Sequence, residues 1–297
     1  MKIDIIIPTY GRSSEVVQQT LDSIYKCSDV SLINKIFVVD QNSPTLTLNV
    51  HNNLELLIQT TPSVTNARNI ATKKSEADII IYFDDDVLVQ EGTFSAYLKS
   101  FNESDVAFIA GREIVSSEFA NQMEKKFVNK MKKIIRNNLL KLLNNPVANI
   151  TKNGIFVCDF SKDLGVVNNI ETVRGCNFAI RKIFFIENGG FDTAYKGTSL
   201  REESDFIMRI IRSGGRGIFN SKACVIHLRQ LGGCNNLSLS MKSLQSKLEN
   251  EHLFQSKYFP KTSNLFFFFR MLPLALEHLK ETRGQSLMIV FRYAFRF

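Results

Sequence analysis

The sequence predicts an α/β fold: a mostly parallel sheet flanked by helices over residues 1–230, followed by a helical, basic-hydrophobic tail over residues 231–297. Three observations predict it. Strand-like and helix-like segments alternate from Met1 to about Arg229, the order that builds parallel sheets through right-handed crossovers. The run Ile79-Ile80-Ile81-Tyr82-Phe83 is short, β-branched and aromatic, and is ended by charge, as a buried strand is. With 44% hydrophobic and 22% charged residues among 297, the chain can bury a substantial core.

The elements follow in order. Residues 3–8 form a first strand, stopped by Pro8. Ser13 or Ser14 caps a helix through Tyr25, with Val16, Val17, Leu21 and Ile24 at helical spacing. Residues 35–39 form a second strand ending at Asp40, 54–58 a short third, 65–74 a helix and 79–83 a strand. Residues 223–226 read as a late strand ended by His227, and no internal repeat is visible.

Three consecutive aspartates, Asp84-Asp85-Asp86, end the 79–83 strand. They repel one another, gain nothing from a core, and have no other evident charge partner in the sequence. A divalent cation is the simplest neutraliser, and oxygen ligands favour Mg²⁺ or Mn²⁺. The carboxyl edge of an open α/β sheet is also where ligands of such folds bind.

Several classes are disfavoured. The five cysteines (Cys27, Cys158, Cys176, Cys224, Cys234) contain no CxxC pair, so neither a zinc site nor a disulfide framework is expected, and a reducing, cytoplasmic setting is. Asp4 and Pro8 interrupt the first apolar stretch, unlike a signal peptide. No run approaches the roughly 18 apolar residues of a membrane span. The loop after the first strand has one glycine, and neither GxGxxG nor GxxxxGK[ST] occurs, which argues against an NAD enzyme or a P-loop NTPase. A net charge of +8 favours an anionic partner: nucleic acid, phospholipid or a phosphorylated substrate.

Ordered motifs carry a resemblance. Ile5-Ile6-Ile7-Pro8-Thr9-Tyr10-Gly11-Arg12, Val38-Val39-Asp40-Gln41-Asn42-Ser43, Asn66-Ala67-Arg68-Asn69 and Phe83-Asp84-Asp85-Asp86 come first. Arg174-Gly175-Cys176-Asn177-Phe178-Ala179-Ile180-Arg181, Gly189-Gly190-Phe191-Asp192, Glu202-Glu203-Ser204-Asp205 with Arg209, and Val225-Ile226-His227 follow. Over about 230 residues the chain resembles family 2 glycosyltransferases of the GT-A fold, of the bacterial surface-polysaccharide type.

The resemblance implies an inverting, metal-dependent transfer of a sugar from a nucleoside-diphosphate donor. Pro8, Thr9, Tyr10, Arg12, Asp40, Arg68, Asp84 and Asp85 would hold the nucleotide sugar. Tyr10 can stack on a base, Asp40 can accept its imide N–H, and Arg68 would lie near base and phosphates. The family's second acidic residue is replaced here by Gln41. Asp86 would bind the metal, with Asp84 supporting it and His227 as a further ligand. Glu203 aligns with the base that takes the acceptor proton, with Glu202 as its rival. Asn177 and Asp192 fall on the acceptor side, Asp192 shaping the turn beneath it. Cys176, with no histidine near it in sequence, reads as packing.

Two segments bear on partners. Residues 121–143 form a basic amphipathic helix candidate that packs on the core or lies on an anionic membrane. The stretches 265–274 and 287–297 mix bulky apolar residues with arginine and no acid, for an interfacial site or a partner chain, a second copy included. A glycan or lipid-linked acceptor at the cytoplasmic membrane face is the implied setting. A nucleotidyltransferase would also use clustered aspartates but lacks its glycine-rich loop here. A nucleic-acid-binding protein would explain the charge, yet no aromatic stacking platforms interleave with the basic residues of 121–143, so no nucleic acid is expected.

Overall fold

Isoleucine-rich strands make the centre of the molecule. In a computed structural model, residues 1–116, 138, 140, 143, 145–230, 233 and 240–295 are described. The expected helix over 121–143 lies, apart from Asn138, Leu140 and Leu143, outside them. Strand β1 (Ile3–Thr9) is buried throughout, and β4 (Ile79–Phe83) likewise. Both are central strands covered on two faces, which explains apolar runs instead of alternation. Ile3, Ile5, Ile7, Ile79, Ile81 and Phe83 face one core. Ile6, Ile80 and Tyr82 face the other, on the opposite side of the sheet. Each such side chain contributes about 1.5–3 kcal/mol of burial. Asp4, the polar exception in β1, accepts hydrogen bonds from Asn34 Nδ2 (2.8 Å), Lys35 N (2.9 Å) and Ser75 Oγ (2.5 Å).

Helix α1 (Ser14–Lys26) leads to β2 (Ile33–Asp40), and β3 (Leu54–Ile58) leads through α2 (Val64–Lys74) to β4. Then come β5 (Val87–Val89), α3 (Thr93–Ser100), β6 (Val106–Val115), β7 (Ala148–Ile150), β8 (Phe156–Cys158), β9 (Val166–Asn168) and β10 (Asn177–Arg181). Helix α4 (Lys182–Glu187), α5 (Glu202–Arg212) and β11 (Arg216–His227) complete the sheet half. Among the described residues, one sheet runs β3-β2-β1-β4-β10-β6-β11-β5, with β9 also on β11.

The sheet has two halves. From β3 to β4 all pairs are parallel, as the strand-helix alternation predicts. Beyond β4 it is mixed: β10 is antiparallel to both β4 and β6, whereas β11 is parallel to β6 and antiparallel to β5 and β9. This inserted antiparallel strand sets Asn177 opposite Phe83, so residues 174–176 lie against the aspartates. His227 pairs with Val87, one residue past Asp86.

The tail is helical: α6 (Met241–Tyr258), α7 (Asn264–His278) and α8 (Gln285–Phe295). Ser240 and Ser263 cap α6 and α7 by accepting from Ser243 N and Phe266 N. Leu244, Leu248, Phe267, Met271, Ala275, Ile289, Val290 and Ala294 form a core of their own. Helix α6 joins this core to the sheet half through Ser246 with Thr198, Asn250 with Lys196, and Tyr258 with Asp205. No helix among the described residues is long and apolar enough to cross a membrane.

Candidate active site

The parallel strands stop at Thr9, Asp40 and Phe83, and the aspartates occupy the edge just beyond. Contrary to the sequence expectation, the triplet is partly neutralised by the protein. Arg12 Nε lies 2.9 Å from Asp85 Oδ1, and Arg12 Nη2 lies 2.9 Å from Asp86 Oδ2. Asp86 Oδ2 also accepts from Gln230 N at 2.9 Å, and Arg12 donates to the Gln230 carbonyl at 2.7 Å. The chain beyond β11 thus folds back over the aspartates. Burial raises the Asp84 carboxyl and pushes Asp85 up to about 6 against the pull of Arg12. At Asp86 burial pushes the same way, but His227 and Arg12 outweigh it and hold the group below its ordinary value.

His227 completes the cluster. Its Nε2 stands 3.1 Å from Asp86 Oδ1 and 4.0 Å from Asp84 Oδ2. Its Nδ1 stands 2.7 Å from Glu113 Oε1. Glu113 is buried in β6, with Arg174 at 3.3 Å and Arg229 also on its carboxylate. Burial favours its neutral form, yet Arg174, His227 and Arg229 override this and hold it strongly ionised. A carboxylate behind an imidazole that faces other donors is the arrangement that orients metal-binding histidines. Asp86 Oδ1 is buried and has no hydrogen-bond partner among the described residues. Two carboxylates, one with that unsatisfied oxygen, and an imidazole are a donor set that fits a divalent cation.

Cys176 packs in the core, as its sequence reading has it, and its sulfur also borders this cluster. A carboxylate oxygen of Asp84, Cys176 Sγ and a ring nitrogen of His227 lie within 4.8 Å of one another. Burial pushes the thiol up to about 11.

Across the cleft stands the acidic pair at the start of α5. Glu202 is buried and paired with Arg68, whose Nη2 also donates to the Gly175 carbonyl at 3.0 Å and lies 3.9 Å from Asp84 Oδ1. Arg68 is itself buried, with its guanidinium 5.4–5.7 Å from the ring centres of Tyr82, Phe178 and Phe191. It is not a solvated helix arginine: it ties α2 to both acidic clusters. Burial raises Glu202 to about 8 against the pull of Arg68. Glu203, partly exposed, lines the same cleft and has no ion-pair partner among the described residues.

A strained turn delivers this pair. Ser199 and Arg201 have φ of 49° and 77°, the left-handed region that side chains disfavour. Arg201 is held there by Glu251 of α6 at 2.7 Å and by the Phe156 ring, 3.6 Å away. Glu251 also meets Arg270 of α7 at 2.9 Å.

Of the other expected site residues, Pro8, Tyr10 and Arg12 line the cleft, a cavity of about 220 Å³, and Tyr10 is exposed enough to take a stacked ring. Thr9 is buried and gives its carbonyl to Gln41 N at 3.0 Å. Asp40 is buried, and its carboxylate accepts from Asn42 N (2.9 Å) and Leu46 N (2.7 Å), which makes it a turn residue. Gln41 lines the cleft beside it. Asn177 does not reach the cleft: it is wholly buried, accepts from Tyr97 Oη at 2.6 Å and donates to the carbonyls of Arg112 and Ala223, each at 2.9 Å. A Cβ on Gly111 would come within 2.1 Å of that amide, so only glycine fits. Asp192 accepts from Ala194 N at 2.8 Å and contacts Lys257, shaping a turn as expected. Glu113, Arg174, Arg229 and Gln230 are site residues that sequence patterning missed. The one signal was the charged pair Arg112-Glu113 inside an otherwise apolar strand.

Among curated proteins, none matches this sequence. Solved structures do match its fold. The crystal structure of GalNAc-T7 with UDP, GalNAc and Mn²⁺ superposes with a TM-score of 0.61 at 13% identity, covering 100% of this chain and 56% of that one. The mannosyltransferase PcManGT from Pyrobaculum calidifontis, in complex with GDP-Man and Mn²⁺, gives a TM-score of 0.56 at 14% identity, covering 99% of this chain and 73% of that one. The chain therefore spans little more than half the length of the GalNAc-T7 structure. A family model described as Glycosyl transferase family 2 matches residues 4–165. That stretch takes in β1, the Asp40 turn, Arg68, the aspartate triplet and Glu113, and the chain belongs to glycosyl transferase family 2.

Proposed function

We propose that the protein moves a sugar from a nucleoside-diphosphate donor to a glycan or lipid-linked acceptor, with inversion and with a divalent cation, Mg²⁺ or Mn²⁺. The observation that carries this is the opposition, across one cleft, of Asp84, Asp86 and His227 to the glutamates of α5. Both superposed structures contain Mn²⁺ and a nucleotide or nucleotide sugar, which supports the reading. Asp86, Asp84 and His227 would hold the cation, which supplies positive charge against the diphosphate as it departs.

The protein's own groups do the rest. Tyr10 stacks on the base, and Arg12 holds Asp85 and Asp86 in place. Arg68 fixes Glu202, leaving the Glu203 carboxylate to take the acceptor hydroxyl's proton. The acceptor oxygen bonds to the anomeric carbon from the face opposite the leaving group. The bond from that carbon to the diphosphate breaks, and the nucleoside diphosphate leaves with the electron pair. UDP-hexoses and dTDP-rhamnose both fit this scheme. A screen of nucleotide-sugar hydrolysis identifies the donor, and NMR of the product's anomeric configuration tests inversion. Retention of configuration would overturn the base role of Glu203.

The setting we infer is the cytoplasmic face of an anionic membrane, as in surface-polysaccharide assembly. Leu265, Phe269 and Leu276 form an exposed stripe at helical spacing on α7, continued by Leu279 just past its end, and Leu287, Met288 and Phe291 extend it on α8. Ring contacts of Phe268 with Phe291 and Phe295 join the two helices there. Exposed Lys280, Arg283 and Arg292 lie in the same hairpin, a combination suited to lipid headgroups.

A further inference from the structure

Cys176 lies in the turn before β10, 3% exposed. The carbonyl of Cys176 accepts from Asp84 N at 3.4 Å, which fixes the two residues against each other. Its sulfur shares with Asp84 and His227 a set of donor atoms no more than 4.8 Å apart. Sulfur and nitrogen donors at a tetrahedral angle on one ion stand about 3.6 Å apart, so side-chain rotations that close the gaps by about 1 Å bring all three onto one cation. A separate observation points to a ligand at the same place: Asp86 Oδ1 is buried, lacks a hydrogen-bond partner among the described residues, and lies 3.1 Å from His227 Nε2.

We propose that Cys176 is a ligand of the cation, alongside Asp84, Asp86 and His227, so that the site prefers Mn²⁺, Co²⁺ or Zn²⁺ to Mg²⁺. This rests on the cation reading above and deepens it. Carboxylates alone suit Mg²⁺ and Mn²⁺ equally, imidazole favours the transition metals, and a thiolate adds a soft donor that Mg²⁺ does not accept. On binding, the sulfur gives up its proton to solvent, as metal-binding thiols do. The backbone hydrogen bond between Asp84 and Cys176 keeps the thiol at the site whether or not a cation is bound.

The test is to titrate the metal-free full chain with Co²⁺, with and without UDP or GDP, and to record its absorption. The expected spectrum has visible cobalt bands and a near-ultraviolet thiolate-to-cobalt band. Cys176→Ser should lose the second and keep the first. Visible bands with no thiolate band in the wild type would overturn the role of Cys176 and leave the cation reading standing. A thiolate band that persists in Cys176→Ser would also overturn it. No cobalt bands under any condition would overturn both. Should Cys176→Ser not fold, X-ray absorption of the cobalt-loaded wild type decides: a sulfur neighbour supports the proposal, and oxygen and nitrogen alone contradict it.

Discussion

Glu113 Oε1 stands 2.7 Å from His227 Nδ1, which leaves the far ring nitrogen facing Asp86 Oδ1 at 3.1 Å. The imidazole is thereby aimed from behind by a carboxylate that two arginines keep ionised. Glu113→Gln keeps the shape and removes the charge. It should weaken Mn²⁺ affinity by about 10–100-fold, the usual effect of losing a partner that orients a ligand. Calorimetric titration of the metal-free protein checks this. Unchanged affinity would reduce Glu113 to a counter-charge for Arg229.

The glutamates of α5 should separate by function. Glu203→Gln cannot accept a proton, so it should bind the donor normally and lose about 10²–10⁴-fold in transfer. Glu202→Gln should act differently, by loosening Arg68 and lowering the melting temperature as well as the rate. Wild-type transfer by Glu203→Gln, with none by Glu202→Gln, would reassign the base to Glu202.

Much of this arrangement was legible in the sequence, for local reasons. The strands of the parallel half are short apolar runs whose ends are marked by Pro8, Asp40 and Asp84, so their limits depend on nearby residues. Position at a strand end likewise singled out His227. What was hidden depends on strand order. Nothing local says that β10 inserts between β4 and β6, and that insertion carries Cys176 to His227 and turns Asn177 into the interior. The sequence places Arg12 at the nucleotide sugar, and its pairing with Asp85 and Asp86 shows only once the turn after β1 has formed. Glu113 looks like an ordinary acid in a strand because its partners come from β11 and from the turn before β10. In the tail the apolar runs were visible, but which side of each helix packs inward was not.

Arg68 should be a stability residue as well as a functional one. Above about pH 8, where Glu202 is ionised, Arg68→Met leaves its carboxylate buried without a partner, a change that costs about 3–5 kcal/mol. The pH dependence has a definite sign. Glu202 is raised to about 8, so its contribution to stability is full below the ordinary carboxyl value and fades as the pH rises through about 8. Without Arg68 the group moves higher still, so the variant's deficit against wild type should grow with pH. Melting curves across that range check it, and a deficit that shrinks as pH rises would contradict it.

The tail should serve both packing and attachment. The full chain should sediment with anionic liposomes at low salt, and less so as salt rises. Leu265→Glu with Leu276→Glu, both at exposed positions, should abolish this without lowering the melting temperature. Ending the chain after Arg229 should abolish it too, but should also destabilise the fold, because Glu251 and Lys257 are lost from Arg201 and Asp205. Equal sedimentation with neutral and anionic liposomes, or none with either, would leave the tail as a packing or oligomer element.

The most direct test is donor turnover by the full chain after its metal is stripped with EDTA, measured across a panel of nucleotide sugars before and after Mn²⁺ or Mg²⁺ is returned. The expected result is turnover that vanishes on stripping, returns with the cation, and is absent in a folded Asp86→Ala variant under every condition. Full turnover by the metal-free protein would contradict the divalent-cation mechanism.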